Sequence, residues 1–253
     1  MKKDELNAPQ KIEQGEIILR RGPYATAKSH EEYKIKKAIA EHVVREYVSN
    51  FDSVLLDAGS TAEIIAEEMF KKRKFLSVLT NNMGAYAAYI SAGMTIKFEN
   101  DKKNPPNLGN ELLISGGRYV DIYESLLGKG ALSSMEAFTP NVIIIGTSGL
   151  KSQEGIFCHG SEEVAVKELL WTKPVDIRLI ATDWRKIGKR DASAFGRSPD
   201  FCLNAKKVVV VTNEPPREIY TKDPKWMKDF DKELHDLEER GIQVDRIKVD
   251  PVE

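Results

Sequence analysis

Short apolar runs alternate with amphipathic stretches along most of this 253-residue chain, and that alternation restricts the fold more than any other feature. Ile35, Ile39, Val43 and Tyr47 recur every four residues, so 30–48 is expected as a helix opened by a Ser29/Glu32 capping box. A strand at 53–56 and a helix from 61 to about 71 follow, then a strand at 76–79, an Ala- and Tyr-rich helix at 84–92 and a strand at 94–98. Parallel strands need a crossover, so this succession is the pattern of a parallel sheet covered by helices. Residues 99–110 form a loop, because Pro105-Pro106 continues neither a helix nor a central strand. The alternation then resumes with strand 111–115, helix 125–138, strand 142–145, helix 162–171, strands 177–182 and 207–212, a charged helix 224–240 and a last strand 244–249. The expected class is α/β: a doubly wound, mostly parallel sheet with helices on both faces. Residues 1–28, broken by Pro9, Gly15, Gly22 and Pro23, are expected as an irregular arm ahead of a single ligand-binding domain over 29–253.

Composition excludes several function classes. Hydrophobic residues at 41% and charged residues at 30% describe an ordinary globular chain, and no stretch approaches the roughly 20 apolar residues of a membrane span. Met1-Lys2-Lys3-Asp4-Glu5 has no apolar segment behind it, so no secretory signal is read and the cytoplasm is expected. A formal net charge of −1 supplies no broad positive field for nucleic acid. Cys158 and Cys202 lack metal-ligand spacing and read as reduced packing residues, and the four scattered histidines form no zinc pattern, so neither metal nor cofactor is expected. Lys71-Lys72-Arg73-Lys74 reads as a solvated helix end whose cations complement the dipole.

The chemistry is concentrated just past the ends of the predicted strands. Leu55 to Glu63 runs from an apolar strand through Gly59 into a helix led by Ser60 and Thr61, where unpaired N–H groups and the positive dipole end favour an anion. Ser60 with Glu63 is equally a plain capping box. Thr80-Asn81-Asn82, Ser115-Gly116-Gly117-Arg118, Gly146-Thr147-Ser148-Gly149 and Thr182-Asp183 occupy the corresponding position after later strands. In an open parallel sheet those loops share one crevice, although Gly, Asn, Asp and Ser also serve turns for conformational reasons alone. Lys167, on a helix otherwise apolar along one face, and Lys186, after Asp183, are candidate point charges for a phosphate, with solvated lysines as the competing reading.

Lys36-Lys37-Ala38-Ile39-Ala40 leading into Leu56-Asp57-Ala58-Gly59-Ser60-Thr61 resembles the "EKRAIA…LDAGTT" passage of the C-terminal effector domain of DeoR-family transcriptional repressors. The order is kept by Thr80-Asn81, Gly116-Gly117, Gly128, Ile145 to Gly149, Glu163 to Lys167 and Asp183 to Lys186, across about residues 34–213. The resemblance implies a fold related to ribose-5-phosphate isomerase and CoA transferases, and a phosphorylated sugar as signal. On that basis Asp57, Gly59, Ser60 and Thr61 would cradle the ligand, Asn81 and Gly117 would line the pocket, and Lys167 and Lys186 would contact it. The full set of expected ligand-binding residues adds Thr80, Gly116, Gly146, Thr147, Ser148 and Asp183.

The chain departs from the family twice. The stretch before the first helix is too short and too broken for a winged helix-turn-helix, so direct nucleic-acid binding is not expected. The related isomerases carry an acidic DGADE-type segment where this chain has Gly146-Thr147-Ser148-Gly149-Leu150. The leading expectation is a stand-alone, homo-oligomeric effector domain that senses a small phosphorylated metabolite and regulates transcription. The alternative is a sugar-phosphate isomerase-like enzyme, with Asp57, Glu163 or Asp183 as its base.

Overall fold

The computed structural model describes residues 30–98, 106–197 and 204–249. Helix α1 (His30–Tyr47) leads into β1 (Ser53–Leu56), α2 (Ser60–Lys72), β2 (Ser77–Thr80), α3 (Met83–Phe98) and β3 (Glu111–Ile114). A hairpin of β4 (Arg118–Val120) and β5 (Ser125–Leu127) precedes α4 (Lys129–Ala137), β6 (Val142–Gly146), β7 (Gly149–Lys151) and β8 (Gly155–Cys158). Then come α5 (Ser161–Thr172), β9 (Val175–Ala181), β10 (Ser193–Phe195), β11 (Ala205–Asn213), α6 (Arg217–Lys222), α7 (Pro224–Glu239) and β12 (Gln243–Ile247).

Seven strands form one sheet in the order β12-β11-β9-β6-β1-β2-β3, with every neighbouring pair parallel. Successive strand side chains point to opposite faces, and the core divides accordingly. Val54, Leu56, Val78, Ile144, Leu179, Val209 and Val211 pack with α1, α2 and α3 on one face. Leu55, Leu79, Ile143, Ile145, Ile180, Val208 and Val210 pack with α4, α5 and α7 on the other. Burial on both sides is why these strands read as continuous apolar runs rather than alternating ones. The sheet is doubly wound as expected.

The chain steps from β1 outward through β2 to β3, then returns to the other side of β1 with β6 and continues to β9, β11 and β12. The strand order therefore reverses between β1 and β6, which opens a crevice at their carboxyl ends. Helices following the strands point their N-termini toward that edge, while the ends of α1, α2, α4 and α5 lie at the amino edge. An open cleft lined by Phe51, Ser53, Asn141, Val175 and Ala205 sits at the amino edge, against the negative dipole ends. The helix dipoles make the carboxyl edge the one suited to an anion.

Several local expectations are corrected. The run 94–98 is not a strand: α3 continues to Phe98, and the place beside β2 is taken by β3. Met94, Ile96 and Phe98 alternate with Thr95 and Lys97, but five residues are too few to fix a period, and the preceding Ala-rich turns carry the stretch on as helix. Residues 125–127 belong to β5 rather than to the next helix, which starts only after Gly128 adopts φ +92°, ψ −167°, a backbone conformation suited to glycine. Strands β4, β5, β7, β8 and β10 were not anticipated, being three or four residues long and paired outside the main sheet. The Ser60/Glu63 capping box is absent, since Gly59 is the N-cap and Ser60 already lies within the helix. Arg73 is not a solvated cation: its Nε and Nη2 each donate over 2.6 Å, to Val48 and Val44 carbonyls at the end of α1. Residues 1–28, Ser29 with its capping box, the first part of the 99–110 loop and Cys202 lie outside the described residues.

Candidate functional site

The site is built around the turn from β1 into α2. Asp57 N–H extends the β1–β6 ladder by donating to Ile144 O over 3.0 Å, and Gly59 then takes φ +121°, ψ 161°. That region is open essentially to glycine alone, and an added Cβ would meet nothing within 4 Å. Glu63 N–H donates to Gly59 O over 3.0 Å to close the first helical bond, and no side chain caps the turn. The N–H groups of Thr61 and Ala62 have no partner among the described residues, and the space beside Gly59 is open. Lys36, a buried lysine of α1, donates to Ser60 Oγ over 3.1 Å and brings a positive charge to this turn. Asn82 Nδ2 donates to Gly59 O over 3.1 Å, so the end of β2 holds the same glycine from the other side.

Asp57 and Lys167 form a buried ion pair across the β1–β6 crevice, with Nζ 2.5 Å from Oδ2. Asp57 Oδ2 also accepts from Gly146 N–H over 3.1 Å, and Lys167 donates to Gly146 O over 3.1 Å. Burial alone would lower the Lys167 pKa, but the Asp57 and Glu163 carboxylates and the hydrogen bond outweigh it and hold the ammonium above its ordinary value. Gly146 lies so close to the β1 turn that a Cβ there would stand 3.2 Å from Ala58 O. Glu163 accepts from Gly160 N–H over 3.1 Å at the start of α5, and burial pushes its carboxyl up despite Lys167 nearby. The Cys158 thiol is raised to about 12 by burial, which leaves it protonated and unreactive at neutral pH.

The other expected residues sit along the same edge in supporting positions. Thr80 Oγ1 accepts from Asn82 N–H over 3.0 Å, and Asn81 pairs with Leu126 of β5, its carbonyl accepting from Leu126 N–H over 2.9 Å and its Nδ2 donating to Leu126 O over 3.2 Å. Gly116 and Gly117 admit α4 and the hairpin: Cβ atoms at Gly117 and Gly130 would stand 2.6 Å from Leu127 O and 2.7 Å from Gly117 N, respectively. Thr147 Oγ1 lies 2.6 Å from Gly149 O and 2.8 Å from Phe157 O, and Ser148 N–H donates to Phe157 O over 2.9 Å, which commits this loop to the small sheet of β7, β8 and β10.

Asp183 and Lys186 form a further ion cluster past β9. Asp183 accepts from Arg185 N–H and Nε over 3.2 and 2.9 Å, with Lys186 Nζ 3.6 Å away, and Arg185 reaches Glu32 of α1 over 3.2 Å. Burial would raise the Asp183 pKa, but the Lys186 and Arg185 charges and hydrogen bonds hold it below the usual range. The structure thus gathers Asp57, Gly59, Ser60, Thr61, Gly146 and Lys167 at the switch point and sets Asp183 and Lys186 farther along the edge. Lys36 was missed as a site residue. Its signal was present in a lysine whose i−1, i+3 and i+4 neighbours are Ile35, Ile39 and Ala40, all on the buried stripe of α1. Among the described residues no helix is long and apolar enough to cross a membrane.

The chain is 28% identical over 168 residues to the HTH-type transcriptional regulator GlpR of Haloferax volcanii, a match covering 66% of this chain and 58% of that protein. It is 23% identical over 195 residues to the transcriptional repressor AccR of Agrobacterium fabrum, covering 77% and 67%. Among solved structures, a ribose 5-phosphate isomerase from Methanocaldococcus jannaschii aligns at a TM-score of 0.40 and 11% identity, covering 63% of this chain and 55% of that one, too weak a likeness to bear on function. Residues 31–203 match the DeoR C terminal sensor domain, and the chain belongs to that family.

Proposed function

We propose that this domain senses a small phosphorylated metabolite, a sugar phosphate or a close relative, and that its output is transcriptional regulation. The observation that carries the reading is the uncapped first turn of α2, open above Gly59 and flanked by buried Lys36, at the point where the strand order reverses. Lys167 neutralises Asp57 beside it, so the carboxylate does not repel an anion seated on Thr61 and Ala62 N–H. Both bonds to Asp57 end on Oδ2, which leaves Oδ1 to accept from a ligand hydroxyl. Membership of the sensor family and similarity to two transcriptional regulators support regulation as the output. Sensing is preferred to isomerase-like catalysis because cations engage Asp57 and Asp183, while Glu163 is committed to the α5 N-terminus. We further propose a homo-oligomeric state, which light scattering measures directly.

Thermal unfolding with inorganic phosphate, ribose 5-phosphate, glycerol 3-phosphate and other phosphorylated metabolites tests the reading. A compound present at a hundred times its Kd is expected to add about 2.7 kcal/mol of stability. Gly59→Ala is expected to abolish that gain and to cost the unliganded protein ~1–3 kcal/mol, since alanine strains at φ +121° even though space for Cβ is open. No midpoint shift across the whole panel refutes the assignment.

A further inference from the structure

Beside the anion cradle lies a corner with an unusual polar inventory. Asn81 Oδ1, Ser115 Oγ and Ser125 Oγ are buried and have no hydrogen-bond partner among the described residues. Three backbone pairings bring their carriers together: Ser115 N–H donates to Thr80 O, Leu126 N–H donates to Asn81 O, and Asn82 bridges Ser125. The orientation of the Asn81 amide is determined by its surroundings, because its Nδ2 must donate to Leu126 O, so the atom left over is the acceptor Oδ1. Neighbouring groups are satisfied: Thr80 Oγ1 accepts from Asn82 N–H and Asn82 Oδ1 from Gly84 N–H. The side chain of Asn82 then reaches Gly59 O, so a single residue separates this corner from the first turn of α2.

Buried polar groups without partners are rare, and each forfeits its hydration with nothing in exchange. Three on adjoining segments next to a candidate ligand site point to a partner that arrives from outside. A phosphate is a poor match, since Asn81 Oδ1 is an acceptor and phosphate oxygens accept as well. Neutral hydroxyl groups fit, as each can donate to Asn81 Oδ1 or exchange donor and acceptor roles with a serine.

We propose that Asn81, Ser115 and Ser125 form a hydroxyl-reading subsite that takes neighbouring hydroxyls of a polyol phosphate whose phosphate sits on the first turn of α2. The inference rests on the anion-binding reading of that turn. The β4–β5 hairpin closes the subsite, held there by Leu126 to Asn81 and by Met83 N–H to Glu124 O over 3.1 Å.

Titration calorimetry on the full chain compares inorganic phosphate, n-pentyl phosphate and three polyol phosphates: glycerol 3-phosphate, ribitol 5-phosphate and glucitol 6-phosphate. At least one polyol phosphate is expected to bind tenfold or more tightly than the pentyl ester, which carries the same charge without hydroxyls. Ser115→Ala and Ser125→Ala are each expected to cut that preference fivefold or more and to leave the Kd for inorganic phosphate within twofold. Both variants should also melt at or above the wild-type temperature without ligand, because a buried hydroxyl lacking a partner has been removed. A merely structural serine would instead lower the melting temperature and leave the preference intact. Phosphate binding without a polyol preference, or with a preference that both variants retain, overturns the subsite alone. If no phosphate compound binds, the reading of the α2 turn falls and the subsite with it.

Discussion

Removing Lys167 while keeping Asp57 tests the electrostatic argument at its most exposed point. The ammonium and carboxylate are both buried, their contact is 2.5 Å, and the carboxylate's other bond comes from the Gly146 amide. In Lys167→Met the Asp57 charge is left in the interior with that single amide donor, and breaking a buried pair in this way costs about 3–5 kcal/mol. For a domain of this size each kcal/mol moves the melting temperature by roughly 2–4 °C, so the variant should melt about 6–20 °C lower. The double variant Asp57→Asn/Lys167→Met removes both charges and should recover most of the loss, because a pair replaced by neutral groups of similar size escapes the desolvation penalty. Urea unfolding of wild type, both single variants and the double variant at one pH and ionic strength gives the cycle. A Lys167→Met variant within about 1 kcal/mol of wild type, or a double variant no more stable than that single one, refutes the claim that the pair is buried and coupled.

Two further outcomes follow from the same electrostatics and packing. Glu163 has its carboxyl raised in the folded protein, so between the ordinary glutamate value and the raised one the native state holds more protons than the unfolded chain. That contribution is present at acid pH and is lost as pH rises, so Glu163→Gln, which can still cap α5, should gain stability relative to wild type on going from about pH 4 to pH 8; chemical unfolding across that range checks the sign. Arg73→Ala strips two donors from carbonyls at the end of α1 and should cost ~1–3 kcal/mol, measured by urea unfolding, with backbone exchange rising first in 44–52.

Much of the sheet was legible in the residues. The strands 53–56, 142–145, 177–182 and 207–212 were placed within two or three residues of β1, β6, β9 and β11, because strands covered on both faces must be apolar throughout. The short strands were not legible. Three or four residues define no period, and β4, β5, β7, β8 and β10 exist only because a neighbour supplies their hydrogen bonds. The alternating stretch at 94–98 misled for a related reason, since its helical state follows from the turns before it.

The candidate site divides in the same way. Loop chemistry at the strand ends, the glycine at position 59 and the family pattern are local properties, and the sequence alone determined that polar residues gather at one edge of a parallel sheet. Which of them act together was decided by tertiary structure. Lys167 lies 110 residues from Asp57 and Lys36 lies 24 from Ser60, and only the winding of the sheet brings each pair into contact. Ser115 read as part of a strand-end loop and Ser125 as the start of a helix, and only the tertiary structure buries both, Ser125 within the β4–β5 hairpin itself. Burial and partnership depend on distant segments, so a sequence names the groups that can do chemistry, and the fold sets which of them are charged, paired or waiting for a ligand.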